Sequence, residues 1–325
     1  MPSRTIDEQL NKYLTDVHSI EEQALQQLRA APKIAGEPEL SAIFSPHLPE
    51  TEQQERVVRE RLEARGAKPA RIKDIVGRAG GVGFVLFARS QPDTPGKLTA
   101  HAFSYEHLEI AAYEFLMRAA QRAGDSETLD AGRRIREEER TMAERLSGAF
   151  DRAAEASLAA ARAEDPGEPL VKYLADAHAI EEQAIQLLQR APKIGGGPEL
   201  ESLYSAHLEE TRGQERLIRE RLEARGAAPS KLKDAAMRLG ALNWGMFFQA
   251  QPDTPAKLAG FAFAFEHLEI GGYELLKRVA QRAGDQETVQ SVESILVQER
   301  GMARRLADAF DRAFEASLDA KGVAG

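Results

Sequence analysis

The residues that could do chemistry in this chain are carboxylates and imidazoles at helical spacing. One group comprises Glu21, His47, Glu50, Glu106, Glu109 and Glu139, and a second comprises Glu181, His207, Glu210, Glu266, Glu269 and Glu299. An α-helix turns about 100° per residue, so each acid can be placed relative to the apolar stripe of its own segment. Glu21 falls among Leu14, Val17, Leu25 and Leu28, while Glu22 points away. His47, Glu50, Thr51 and Gln54 interrupt the stripe of Leu40, Ile43, Phe44, Val58 and Leu62, all within about 60° of its centre. Glu106 and Glu109 share a face with Phe103, Ile110 and Tyr113, and Glu139 aligns with Ile135, Met142 and Leu146. His107 and His267 fall at stripe edges, and His18 and His178 read as surface residues.

Each group therefore brings about five carboxylates and one imidazole to one apolar interior. Unpaired buried carboxylates cost several kcal/mol each and repel one another. Bound cations, protonation or an inserted Arg must offset that cost, and no Lys or Arg falls cleanly on these stripes. Carboxylate with imidazole suits iron or manganese, and zinc is also compatible. Thr51 and Gln54 are expected behind the ligands. A single inward Glu is ordinarily a satisfied core polar group; what favours metal is the full set, present twice.

The elements that must position these residues repeat. RERLEARGA at 59–67 recurs at 219–227, QPDTP at 91–95 recurs at 251–255, and EHLEI at 106–110 recurs at 266–270, without a gap. A period this long marks a duplicated domain rather than a solenoid unit. The boundaries read as 1–162 and 170–325, with 163–169 (AEDPGEP) as the linker. Within the first copy, helices are expected over 5–30, 39–65, 69–89, 96–122 and 126–160. Pro32 is expected to end the first of these. Pro46 and Pro49 are expected to kink the second, or Pro46 to start a new helix capped by Ser45. The fold expected is all-α: two tandem ferritin-like four-helix bundles, each with an extra crossover helix.

Composition excludes other classes. The 325 residues contain no Cys, so disulfides, thiolate metal sites and cysteine nucleophiles are absent. The net charge of −9 and the scattering of Lys and Arg among acids weigh against nucleic acid or anionic membrane as partners. The apolar run near Gly80 is too short to cross a bilayer and the N-terminal stretch is polar, so a cytoplasmic protein is expected. The crossover segments at 77–88 and 237–250 are rich in Gly and apolar residues. They suggest a surface on which the two copies pack as an intramolecular pseudo-dimer.

Each copy resembles the bacterial ferritin-like family of the YciE and YciF stress proteins. The resemblance rests on Glu21 and Gln23, HLPET at 47–51, EHLEIAAY at 106–113, and Glu138 with Glu139. The second copy supplies Glu181 and Gln183, HLEET at 207–211, EHLEIGGY at 266–273, and Glu299. The resemblance implies a ferritin-like bundle, a di-metal site and an association with stress. Three departures stand out: Ala143 and Ala303 occupy positions where the family has an acid, Gln298 replaces Glu138, and prolines flank His47. The function expected is a metal-binding stress protein with di-iron or di-manganese sites, handling peroxide or oxidising Fe(II). The alternative is a non-enzymatic structural stress protein whose polar cluster is vestigial or metal-free.

Overall fold

The computed structural model describes residues 5–68, 94–162, 167–229 and 254–323, and among these it forms eleven helices and no strand. One compact unit ends at Ala160 and the other begins at Ala161.

In the first unit, α1 (Ile6–Ala35) opens on a capping box in which Thr5 and Glu8 satisfy each other's backbone N–H. It closes at Gly36, whose φ of 67° is the left-handed turn that glycine takes without strain. The helix passes through Pro32 rather than ending before it, because Ala31, Ile34 and Ala35 are buried and hold the last turn in place. α2 (Pro38–Ala64) starts with Pro38 in its first turn and Glu37 as cap, accepting from the Leu40 amide at 2.9 Å. It continues through Pro46 and Pro49, and neither break nor Ser45 cap forms. Both prolines sit on the exposed side, while His47 stays inside.

α3 (Thr94–Ala123) and α4 (Ser126–Ser147) form the second hairpin. Asp125 caps α4 through the Thr128 amide and also accepts from Arg61 on α2 at 3.1 Å and from Arg65, the residue that caps the end of α2, at 2.9 Å. This ties the two hairpins together at one end of the bundle. The last helix does not run unbroken to Ala160: the chain turns at Gly148 and Ala149 and resumes as α5 (Phe150–Ala161). α1 packs against α2 and α3, and α4 packs against α3 and α2, so four long helices enclose one core. Leu10, Leu14, Val17, Phe44, Val58, Leu62, Ile135, Met142 and Leu146 fill it.

The second unit repeats the plan with α6 (Gly167–Leu188), α8 (Pro198–Ala224), α9 (Thr254–Arg282), α10 (Gln286–Asp308) and α11 (Phe310–Asp319). Asp285 takes the place of Asp125, bound by Arg221 and Arg225. One difference is local: the helix corresponding to α1 stops at Leu188, and a four-residue α7 (Ala191–Ile194) follows. The fold is therefore all-α and ferritin-like, in two tandem copies. The crossover helices expected at 69–89 and 237–250, and with them the surface suggested for a pseudo-dimer, lie outside the described residues, as does most of the linker. No described helix is long and apolar enough to cross a membrane.

Candidate metal centre

Four helices of the first unit each deliver one or two polar side chains to the middle of its core. Glu21 comes from α1, His47 from α2, Glu106 and Glu109 from α3, and Glu139 from α4, and all five are buried. The Nε2 of His47 lies 3.3 Å from Glu106 and 3.5 Å from Glu139. Candidate ligand atoms of His47, Glu106 and Glu139 all fall within 4.8 Å of one another. Glu21 accepts a short hydrogen bond from the Tyr113 hydroxyl. In the second unit, ligand atoms of His207, Glu266, Glu269 and Glu299 share the same 4.8 Å sphere. There His207 Nε2 is 2.8 Å from Glu266, and Tyr273 donates to Glu181.

Glu50 and Glu210, expected in the interior, stand at its rim with 40% and 33% of their side chains exposed. The helical angle places them correctly, but their side chains reach back towards solvent. Glu210 is paired with Arg305 at 2.6 Å, and Glu50 lies 3.9 Å from Arg145. Each sits behind its histidine ring, with Glu50 3.0 Å and Glu210 3.7 Å from Nδ1. The Glu50 contact is a hydrogen bond that turns the His47 Nε2 towards the buried acids, in the manner of a carboxylate that orients a metal-bound imidazole, whereas Glu210 stands beyond hydrogen-bond distance. Thr51 donates to the His47 carbonyl at 3.1 Å, and Gln54 donates to Glu138, which is half-exposed. In the second unit Gln214 donates to both Gln298 and the buried Glu299.

The interior is short of hydrogen-bond donors. Among the clustered acids, five carboxylate oxygens per unit accept no hydrogen bond: one each from Glu21, Glu106 and Glu109 and both of Glu139, then one each from Glu181, Glu266 and Glu299 and both of Glu269. Burial raises Glu21 and Glu181 to about 8, against the pull of the Tyr113 or Tyr273 hydroxyl and the neighbouring histidine. Burial also holds Glu109, Glu139, Glu269 and Glu299 well above the usual carboxylate range. For His47 and His207 burial acts downwards but loses to the surrounding acids, which lift them to about 12 and about 9. The oxygens that converge on the imidazole nitrogen, those of Glu106 and Glu139 in the first unit and of Glu266, Glu269 and Glu299 in the second, fit a divalent cation, while Glu21, Glu109 and Glu181 stand outside these close groups.

A second acid–imidazole group escaped the sequence reading. His18 and His178, taken there as surface residues, are buried. Their Nε2 atoms meet Glu55 at 3.0 Å and Glu215 at 3.1 Å, with Glu22 and Glu182 one turn along the same helices. Arg59 and Arg219 bind the same carboxylates at 3.2 and 3.3 Å. The only advance signal was the paired recurrence of His and Glu 37 positions apart in both copies. His107 and His267 are half-buried, and each ring Nδ1–H donates to a backbone carbonyl one turn earlier at 2.7 Å.

The sequence profile of one family, described as "Domain of unknown function (DUF892)", matches residues 5–159 and again residues 165–319. A crystal structure of a protein from Xanthomonas campestris pv. campestris str. ATCC 33913 is 32% identical, over 48% of this chain and 97% of that one, at a TM-score of 0.38.

Proposed function

We propose that this chain, which belongs to the DUF892 family and carries its domain twice in tandem, is a metal-binding protein with one carboxylate–imidazole centre in each bundle. The observation that carries this reading is the set of five unpartnered, buried carboxylate oxygens repeated in both units. In the first bundle Glu21, Glu106, Glu109 and Glu139 supply oxygen ligands and His47 supplies Nε2; in the second, Glu181, Glu266, Glu269, Glu299 and His207 do so. Glu50 fixes the His47 ring orientation from Nδ1. Four acids and one imidazole are enough donors for two ions per bundle, and iron or manganese matches their chemistry. Bound there, such ions supply redox chemistry with peroxide or the oxidation of Fe(II). The chain's own contribution is to exclude water with its apolar core, to hold the ligands on four rigid helices, and to keep Tyr113 and Tyr273 donating to one acid in each centre. The resemblance noted in the sequence adds an association with stress.

Ligands held together in the fold are dispersed in the unfolded chain, so metal binds the native state preferentially. Melting of the chelated protein should rise on adding Mn(II), or Fe(II) under anaerobic conditions, and fall again with chelator. A melting temperature indifferent to saturating metal refutes the reading.

A further inference from the structure

The group of His18, Glu22 and Glu55, with its copy His178, Glu182 and Glu215, takes no part in the buried centres. His18 and Glu22 stand one turn apart on α1, where side chains four residues apart share a face, and Glu55 comes from α2, which packs against it. α6 and α8 present His178, Glu182 and Glu215 in the same way. In both bundles one ring nitrogen and one oxygen from each acid lie within 4.8 Å of one another. The histidines are buried, while Glu22 and Glu182 are partly exposed, so each group reaches from the core to the surface.

An ordinary ion pair accounts for only part of this. His18 Nε2 meets Glu55 at 3.0 Å and His178 Nε2 meets Glu215 at 3.1 Å, and one acid suffices to hold a ring. A second acid at the same place repels the first, and a divalent cation between them turns that repulsion into attraction. Among the described residues, the histidine and arginine contacts both fall on Oε1 of Glu55 and of Glu215, which leaves Oε2 of each for a further bond. The spacing also suits a shared ion, because two ligands at ~2.1 Å and right angles on one metal lie ~3.0 Å apart. Beside these residues the two copies differ: Ala177 stands for Val17, Ala179 for Ser19, Arg212 for Glu52 and Gly213 for Gln53. The histidine, both acids and the arginine are the same in each.

We propose that His18, Glu22 and Glu55, and likewise His178, Glu182 and Glu215, form a second metal site on each bundle, at the seam between two helices and open to solvent, that takes a divalent transition ion such as Zn(II). The imidazole nitrogen selects such an ion over calcium and magnesium, which prefer oxygen alone. With three protein ligands the ion keeps water in its remaining positions. Arg59 and Arg219, each 43% exposed, turn out into solvent as the ion takes over their carboxylate. An ion held at the surface exchanges and is removed by desalting, whereas ions enclosed by four helices are retained. Metal kept per chain after desalting therefore counts the interior centres alone. The site uses none of the interior ligands, so it stands or falls apart from them.

Crystals of the full, unsubstituted chain soaked in Zn(II) and measured at the zinc edge should show an anomalous peak ~2.0–2.2 Å from His18 Nε2 and the carboxylates of Glu22 and Glu55, with its counterpart at His178, Glu182 and Glu215. An empty group in either bundle, whether or not the interiors are occupied, overturns the proposal. In solution, equilibrium dialysis against Zn(II) should find one exchangeable ion per bundle that is weakened in the double variant Glu22→Gln, Glu182→Gln. That variant keeps the His18–Glu55 and His178–Glu215 contacts, so an ordinary ion pair is untouched. Loss of a ligand should weaken zinc at least ~10-fold, the cost of removing even a partner behind a ligand; unchanged binding overturns the proposal. The double variant His47→Ala, His207→Ala damages both interior centres and should leave the exchangeable ions in place. Their disappearance there would show that the zinc was interior and would equally overturn it.

Discussion

Loading metal must drive protons off the ligands. Glu21 and Glu181 are raised to about 8, so each is roughly nine-tenths protonated at pH 7. Glu109, Glu139, Glu269 and Glu299 are also held well above the usual carboxylate range by burial, and His47 and His207 are raised to about 12 and about 9. At neutral pH each metal-free bundle thus stores a proton on Glu21 or Glu181 and one on its histidine, and its other buried acids are shifted the same way. Metal takes carboxylate and neutral imidazole. Allowing some acids to remain hydrogen-bonded, about 2–4 protons should leave each bundle on loading, and apparent affinity should weaken ~100-fold or more per pH unit lowered. Titration calorimetry of Mn(II) into the chelated, dialysed protein, run in two buffers of different ionisation enthalpy, counts the protons. Fewer than about one proton per bundle, or an affinity unchanged between about pH 6 and 8, would refute both the burial of ionisable ligands and their role as ligands.

Three further outcomes follow from the same geometry. Glu106→Ala removes the carboxylate nearest His47 Nε2 and should empty the first centre while leaving the second loaded, seen as a halving of metal per chain; equal loss from both bundles contradicts independent sites. In the metal-free protein the raised Glu21 and Glu181 contribute stability that is complete below about pH 4.5 and is lost as pH rises through about 8. The denaturation midpoint in chelator should therefore decline across that window, and a midpoint that climbs refutes the assignment. Gly196 has a φ of +91°, and a Cβ there would meet Pro255 at 2.5 Å and Ala316 at 2.9 Å. Gly196→Ala should cost about 2–4 kcal/mol in urea unfolding, whereas Gly36→Ala, with only the Ile34 carbonyl at 3.7 Å, should cost about 1 kcal/mol from the backbone alone; equal costs contradict the packing.

Much of the bundle was legible because helical periodicity reports which face of a segment is buried. The choice of Glu139 over Glu138 came from the second copy, where Gln298 stands opposite the half-exposed Glu138 and Glu299 is kept; the structure buries Glu139 and Glu299 completely. Depth was not legible. The angle that turns Glu50 inward says nothing of its side chain reaching the rim beside Arg145. Long-range pairing was not legible either: His18 is buried because Glu55, on the next helix, meets its ring, a partnership local periodicity cannot express. Pro32, Pro46 and Pro49 misled for a physical reason, since tertiary packing of the buried face outweighs the loss of single amide donors.

The central claim is that these interiors hold metal. Crystals of the full chain reconstituted with Mn(II), or anaerobically with Fe(II), and measured at the metal's absorption edge, test it most directly. The account predicts anomalous peaks within about 2.0–2.4 Å of His47 Nε2 and the carboxylates of Glu106 and Glu139, with matching peaks at His207, Glu266, Glu269 and Glu299. Fully loaded solution conditions that leave both interiors without an anomalous peak would contradict it.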